Sequence, residues 1–167
     1  DVPSVTVRPF NTYGPGQSGR AVIPTIITQA LTQDSIHLGS LDTRRDFTFV
    51  DDTVNGFIKA AEALLDPTTS AEVVGQTYNL GTGSEVSINE IALTILDLLG
   101  KKGLPITSDP ERIRPEKSEV LRLLSDNRKA GMHLGWRPAV ELQDGLGLTI
   151  EWIKAHLDLY RIGTYER

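Results

Sequence analysis

The chain has 167 residues, 39% of them apolar and 23% charged, a globular composition that excludes disorder or low complexity as a description of the whole. Its 17 basic and 22 acidic residues give a formal charge of −5, the wrong sign for general attraction to nucleic acid or an anionic membrane. With no cysteine there is no disulfide, thiolate ligand or cysteine nucleophile, and with no apolar run of ~20 residues and no leader pattern the expectation is a soluble, cytoplasmic protein.

In chain order, the β-branched run Ser4–Arg8 predicts a strand that Pro9 ends. Asn11 to Gly19 holds three glycines and a proline, the composition of a loop with unusual backbone angles. Val22, Ile26, Ile27, Ala30 and Leu31 fall at helical spacing, predicting a helix over 21–33 with Pro24 in its first turn. Short strands are expected at Ile36–Leu38 and Asp46–Val50. Asp51-Asp52 offer an N-cap for a helix to Leu65, with an apolar stripe of Val54, Phe57, Ile58, Ala61 and Leu65. The segment 66–70 breaks that helix, and Thr77–Leu80 reads as a strand closed by Gly81-Thr82-Gly83.

Ser87 and Glu90 have capping-box spacing for a helix to Leu99, with Gly100 as its stop. From Lys101 to Leu124 the pattern is mixed. Asp126 caps a short helix ending near Leu134-Gly135-Trp136, and one long amphipathic helix covers 141–159. Alternating strands and helices make the class α/β or α+β.

No catalytic set stands out in residue types alone. His37, His133 and His156 are scattered without metal-ligand spacing. Asp51-Asp52 serve as a carboxylate pair or, with less to explain, as caps. No G-x-S-x-G or S-x-x-K is present. Arg44-Arg45 and the group Arg112, Arg114, Lys117 and Arg122 offer forked cations for a small anion. Their acidic neighbours, among them Asp42, Asp46, Asp109, Glu111 and Glu116, favour ordinary ion-paired surface groups instead. Gly81-Thr82-Gly83 lacks the third glycine of a dinucleotide fingerprint; it and Gly14-Pro15-Gly16, which with Gly19 has the spacing G-x-G-x-x-G, read as turns.

Several segments nevertheless match one family in order. Arg8-Pro9-Phe10-Asn11-Thr12-Tyr13-Gly14-Pro15 resembles the R-x-F-N-x-Y-G-P motif of extended short-chain dehydrogenases acting on nucleotide sugars. Arg45-Asp46-Phe47-Thr48-Phe49-Val50-Asp51-Asp52 resembles their R-D-F/W-x-x-V-x-D segment, and Tyr78-Asn79-Leu80-Gly81 their Y-N-I/L-G strand end. Arg114-Pro115, Ser118-Glu119-Val120, Asp126 and Leu134-Gly135-Trp136 are similar to their C-terminal run. The nearest resemblance is to NDP-sugar epimerases and 4,6-dehydratases.

The resemblance implies an α/β fold: the C-terminal part of an NAD(P)-binding Rossmann-like fold with its small α/β substrate-binding lobe. Residues 1–167 would form a single lobe, with strands 4–8 and 77–80 belonging to the Rossmann sheet. Family members run to about twice this length and hold NAD. The family's G-x-x-G-x-x-G cofactor fingerprint and its Tyr-x-x-x-Lys pair are not in this sequence, so the chain alone is expected to bind no NAD, to carry no catalytic residue or metal, and to be inactive.

By the same resemblance Asn11 would hydrogen-bond the substrate diphosphate and Arg45 and Arg114 would grip it. Val22 and Pro24 open the helix beneath the nucleotide, Ile36 and Leu38 flank its base, and Asn79 faces the cleft. Phe10 would line the nicotinamide side. The implied partners are a nucleotide sugar and, through open strand edges, a second copy or a separate N-terminal Rossmann half. The alternative is a non-catalytic interaction module with a vestigial pocket.

Overall fold

Strands and helices alternate along most of the chain, as the sequence predicts. The computed structural model describes residues 2–110 and 120–160. In chain order the elements are β1 (Thr6–Pro9), β2 (Asn11–Tyr13), α1 (Val22–Thr32), β3 (Ile36–Leu38), β4 (Arg44–Arg45), β5 (Phe47–Phe49), α2 (Val50–Leu65), α3 (Ser70–Val73) and β6 (Thr77–Leu80). There follow β7 (Val86–Ser87), α4 (Ile88–Leu98), β8 (Ile106–Ser108), β9 (Arg122–Leu123), α5 (Arg128–Leu134) and α6 (Leu142–Ala155), with a 3-10 turn at Leu157–Leu159. Backbone contacts divide them into two compact units.

The first unit is built from Asp1–Thr12, Asp46–Glu85 and Leu124–Leu142. Its centre is the parallel pair β1–β6, in register from Thr6 opposite Thr77 to Pro9 opposite Leu80. Ala60, Val73, Tyr78, Leu80, Ala130, Leu134 and Trp136 form its buried core, with Val5, Val7, Ala63 and Leu64 packed against them. Gly56 lets α2 come down closely on Leu80, because any side chain there would meet the leucine. Asp52 ties α2 to the segment after α5. Its Oδ1 and Oδ2 accept from the backbone N–H of Ala139 and Val140 at 2.9 and 3.1 Å, and its carbonyl accepts from Trp136 Nε1 at 2.9 Å.

The second unit is built from Tyr13–Arg45, Val86–Leu123 and Gln143–Arg167. In it β3 pairs with β8 in parallel, and β4 lies between antiparallel β7 and parallel β9. Helices α1 and α4 pack together through fully buried Ile23, Ile26, Ile27 and Ala30 on one and Ile91, Ala92, Ile95 and Leu96 on the other. The capping box at the start of α4 forms as its spacing predicts: Ser87 Oγ accepts from Glu90 N at 3.1 Å, and Glu90 Oε2 accepts from Ser87 N at 2.7 Å. Gly100, at φ +68°, ends that helix.

Several expectations are corrected. The first strand is Thr6–Pro9, shifted from 4–8, and the expected loop begins with strand β2. The strand at 46–50 shortens to Phe47–Phe49, and α2 begins at Val50 with Phe49 as N-cap residue. Asp51 and Asp52 therefore sit inside its first turn, and Asp52 faces inward as a clamp. A short helix, α3, which the sequence reading did not predict, starts at the last residue of the expected breaker. Asn127, and not Asp126, holds the N-cap position of α5, although Asp126 Oδ1 still accepts from Arg128 N at 3.2 Å. The last long helix stops at Ala155 before the 3-10 turn.

Candidate functional site

At the C-terminal end of β1 the chain passes into Phe10 and Asn11. Phe10 N donates to Leu80 O at 2.9 Å. The Asp46 carbonyl accepts from Asn11 twice, from its backbone N–H at 3.2 Å and its Nδ2 at 3.0 Å. A carboxamide nitrogen carries two hydrogens, so Asn11 is oriented by one donation and keeps a second for a ligand. The carboxyl ends of parallel strands are where open α/β sheets hold nucleotides. Half-buried Phe10 lies at the same end.

Asp46 organises this region from below. It is fully buried, and its carboxylate accepts four hydrogen bonds. Oδ1 takes Thr82 N and Thr82 Oγ1, both at 2.7 Å. Oδ2 takes Gly83 N at 2.9 Å and Ser125 N at 3.2 Å. Asn127 Nδ2 donates to Gly81 O at 2.7 Å, closing the arrangement. The Gly81-Thr82-Gly83 turn thus presents its N–H groups as an anion-binding nest, and the anion it holds is the protein's own carboxylate. Sequence reasoning set Asp46 among ion-pair partners for the arginines and gave it no further role. The signal it carried was a charged residue inside an apolar strand pattern.

Asn79, on β6, donates Nδ2 to Asp126 O at 3.3 Å and lines an open cavity of about 1030 Å³ together with Arg128, Lys129 and Arg137. Two of these cations are engaged. Arg128 makes a two-point contact with Asp126, Nε to Oδ1 at 2.9 Å and Nη2 to Oδ2 at 2.6 Å. These bonds bring the Asp126 carboxyl down to about 2. Lys129 Nζ donates to Gln76 Oε1 at 2.7 Å and sits 5.2 Å from the centre of the Tyr78 ring. Tyr78 pairs through its hydroxyl with His133 Nδ1 at 3.2 Å, and burial pushes its ionisation up.

In the second unit, Arg45 lies on β4, half-buried, and its Nη1 donates to Arg44 O at 2.9 Å. Arg44 is ion-paired, with Nη2 3.2 Å from Glu90 Oε2, the surface role its sequence context favours. Val22 is the first residue of α1, and Pro24 is buried in its first turn. The Ile36 and Leu38 side chains are buried in β3. The backbone of this strand is engaged on both edges, His37 N donating to Gln29 Oε1 and His37 O accepting from Gln29 Nε2 on one side and β8 pairing on the other, while the exposed His37 ring is held by Ser35 Oγ and Thr107 Oγ1, each at 2.9 Å. Arg114, with Arg112 and Lys117, lies outside the described residues.

Within the first unit the structure brings Asn11 to Asp46, and places Asn79 opposite Arg8 in register. Among the described residues no cluster of three or more potential ligands could hold a metal, and no helix is long and apolar enough to cross a membrane.

Comparison with known proteins follows the same lines as these motifs. The family model described as GDP-mannose 4,6 dehydratase matches residues 1–149. UDP-glucose 4-epimerase from Mycolicibacterium smegmatis is 34% identical over 152 residues, spanning 89% of this chain and 44% of that protein. Among solved structures, an epimerase from Methanothermobacter thermautotrophicus superposes with a TM-score of 0.79 at 31% identity, covering 95% of this chain and 45% of its own. UDP-glucuronic acid 4-epimerase from Bacillus cereus, in complex with UDP-glucuronic acid and NAD, gives a TM-score of 0.77 at 28% identity, covering 95% and 46%. The chain thus spans about half the length of the relatives it matches. With its α/β architecture, its motifs in family order and a model match across most of its length, this chain belongs to the GDP-mannose 4,6 dehydratase family of extended short-chain epimerases and dehydratases.

Proposed function

We propose that this chain is the nucleotide-sugar-binding part, the C-terminal part of the fold, of an NAD-dependent NDP-sugar epimerase or 4,6-dehydratase. The observation that carries the reading is Asn11, held by the Asp46 carbonyl at the carboxyl end of the parallel β1–β6 pair within a segment matched by the family model.

A diphosphate carries about two negative charges, and forked guanidinium groups with a carboxamide suit it. In this reading Asn11, Arg45 and Arg114 contribute those donors. Val22 begins the helix beneath the nucleotide, Ile36 and Leu38 flank its base, and Asn79 faces the cleft.

Phe10 is the residue of this chain assigned to the nicotinamide. Its half-buried ring at a strand's carboxyl end fits one face of such a ring, and no other part of the chain is assigned to NAD. When bound, NAD supplies the hydride acceptor and donor for the sugar carbon. This chain's contribution is to bind and orient the sugar nucleotide, since it contains no Tyr-x-x-x-Lys pair and is assigned no proton transfer. Its partner is a Rossmann half that brings the cofactor loop.

The test is calorimetric titration of the chain with UDP-glucose, UDP-glucuronic acid, dTDP-glucose and GDP-mannose. Heat with at least one of them, lost in Arg45→Ala, is the expected result. A chain that is folded by circular dichroism and silent with all four overturns the reading.

A further inference from the structure

The loop from Gly14 to Ala21 joins β2, which begins with Asn11, to α1, which begins with Val22. Most of it is exposed, and Gly16, at φ +78°, takes a backbone setting that favours glycine and adds no stiffness. Inside the loop Gln17 N donates to Gly14 O at 3.2 Å and Ala21 N to Ser18 O at 3.0 Å. Ala21 stands at the N-cap of α1, where it supplies no side-chain hydrogen bond. The entry of α1 is therefore set by how the loop is held.

A tyrosine 143 residues further along holds it. Tyr160 Oη donates to Gln17 O at 3.0 Å. The same ring lies against Gly19, where an added methyl would come to 3.2 Å from Tyr160 Cδ1. From the first turn of α1, Thr25 Oγ1 donates to Gly19 O at 3.0 Å, so helix and ring meet at one glycine.

The tyrosine is itself built in. Helix α6 ends at Ala155, and His156 Nδ1 donates to Trp152 O at 2.8 Å, one of the carbonyls that a helix end leaves open. The His156 ring stacks with Trp152 at 4.4 Å and 18°, and Trp152 meets Tyr160 edge to face at 6.2 Å and 84°. The 3-10 turn then closes with Tyr160 N on Leu157 O at 3.1 Å. Tyr160 is 9% exposed, and burial pushes its ionisation up, so the hydroxyl stays a donor at ordinary pH. All of these residues belong to the second unit.

We infer that Tyr160 is a positioning residue for the ligand: by holding Gln17 O and Gly19 it fixes the entry of α1, whose first residue, Val22, begins the helix beneath the nucleotide. The ligand is the nucleotide sugar of the function proposed above, and that part of the inference rests on it; the tether itself does not. With the tether gone the loop samples several forms, and only the fraction in the productive one binds.

The experiment compares the protein with Tyr160→Ala, with Tyr160→Phe, which keeps the ring on Gly19, and with Ile95→Val as a control. Ile95 is fully buried in α4, so its truncation lowers the melting temperature as a plain loss of core volume does. Amide hydrogen exchange is followed by NMR at Gln17 and Ala21, whose bonds lie inside the loop, and calorimetry measures Kd for the four nucleotide sugars. In Tyr160→Ala both amides are expected to exchange about fivefold faster or more, and Kd to weaken by about fivefold or more. Tyr160→Phe recovers part of each loss, and Ile95→Val leaves both within about twofold, because local opening of the loop does not break the α4 core.

Unchanged exchange at Gln17 and Ala21 in Tyr160→Ala overturns the inference. So does an unchanged Kd where the unaltered protein binds, or a Kd that follows the melting temperature through the Ile95→Val control. Silence of the folded, unaltered protein with all four sugar nucleotides removes the function reading alone, and the exchange result then decides the tether.

Discussion

Thr82 binds Asp46 twice, its backbone N–H and its hydroxyl each donating to Oδ1 at 2.7 Å. With Gly83 N and Ser125 N on Oδ2, the carboxylate is saturated by neutral donors that come from two chain segments 36 and 79 residues away. Removing it leaves the N–H groups of buried Ser125, half-buried Thr82 and exposed Gly83 without their acceptor. Asp46→Ala is expected to destabilise the first unit by about 2–4 kcal/mol, since a buried donor left unsatisfied costs about 1–3 kcal/mol and the better exposed ones less. Asp46→Asn costs less but remains damaging, because one side of the amide turns donors toward donors. Urea unfolding of the two variants measures both, and a loss below about 1 kcal/mol for Asp46→Ala would contradict the clamp.

Two glycines allow close approach, with different consequences. A methyl at Gly81 would overlap Ser125 Cβ and lie 2.7 Å from Asp46 Oδ2, atoms fixed by the backbone and by the clamp. A methyl at Gly56 meets chiefly the end of the Leu80 side chain, which can turn aside in part. Overpacking typically costs about 1–3 kcal/mol, so Gly81→Ala is expected near the top of that range and Gly56→Ala lower. Thermal unfolding of the pair checks the order.

Asp52 and Trp136 close the other side of the unit. Asp52→Ala leaves the Ala139 and Val140 N–H groups without their carboxylate, an expected loss of about 2–4 kcal/mol. Trp136→Phe removes the Nε1 donor to Asp52 O and some buried volume, for about 1–3 kcal/mol. The two changes remove different bonds between the same two segments, one to the backbone carbonyl of residue 52 and the others to its carboxylate, so any departure of the double variant from the sum measures how far the bonds support one another. A double-mutant cycle in urea decides.

Acid should release the Asp126–Arg128 pair late. Asp126 ionises at about 2 in place of 3.8, chiefly because the Arg128 side chain binds its charged form. A depressed folded value stabilises the fold above the ordinary carboxylate range and loses that effect as pH falls toward 2. Glu90 is also lowered, first by the Ser87 backbone bond of the capping box, with the same sign. Carboxyl-carbon NMR titration should place both below other exposed carboxylates, and Asp126→Asn should flatten the acid limb of stability between about pH 4 and 2.

For ligand binding, Arg45→Ala is expected to cost ~1.5–3 kcal/mol, roughly ten- to a hundred-fold in Kd, as loss of a charge-assisted contact does. Arg44→Ala, whose side chain is paired with Glu90, should leave Kd within about twofold and weaken the α4 start slightly. Calorimetry with the best of the four nucleotide sugars compares them.

Much of the fold was legible because its signals are local. Helices α1 and α4 declare themselves by a 3.6-residue period and, for α4, by a capping box whose two bonds need only residues 87 and 90. Strands β3 and β6 show as short segments with apolar residues at alternate positions between turn residues, and Gly100 marks a stop that its positive φ explains. The family motifs, too, are contiguous strings. By contrast β4, β7 and β9 are two residues each. Two residues have no period, and such strands exist only because a partner lies beside them.

The remaining decisions were tertiary. A helical stripe says that α2 has an apolar face, but whether that face is covered depends on which other parts of the fold are present. Here the covered side is Asp52, Thr53, Gly56 and Ala60, with Gly56 against Leu80. Asp46 shows the same limit from the polar side. Arg44 and Arg45 stand just before it in sequence, so local reading makes it an ion-pair partner. Its bonded donors Thr82, Gly83 and Ser125 are distant in the chain, and only folding supplies the neutral donors that satisfy a carboxyl group at a buried position.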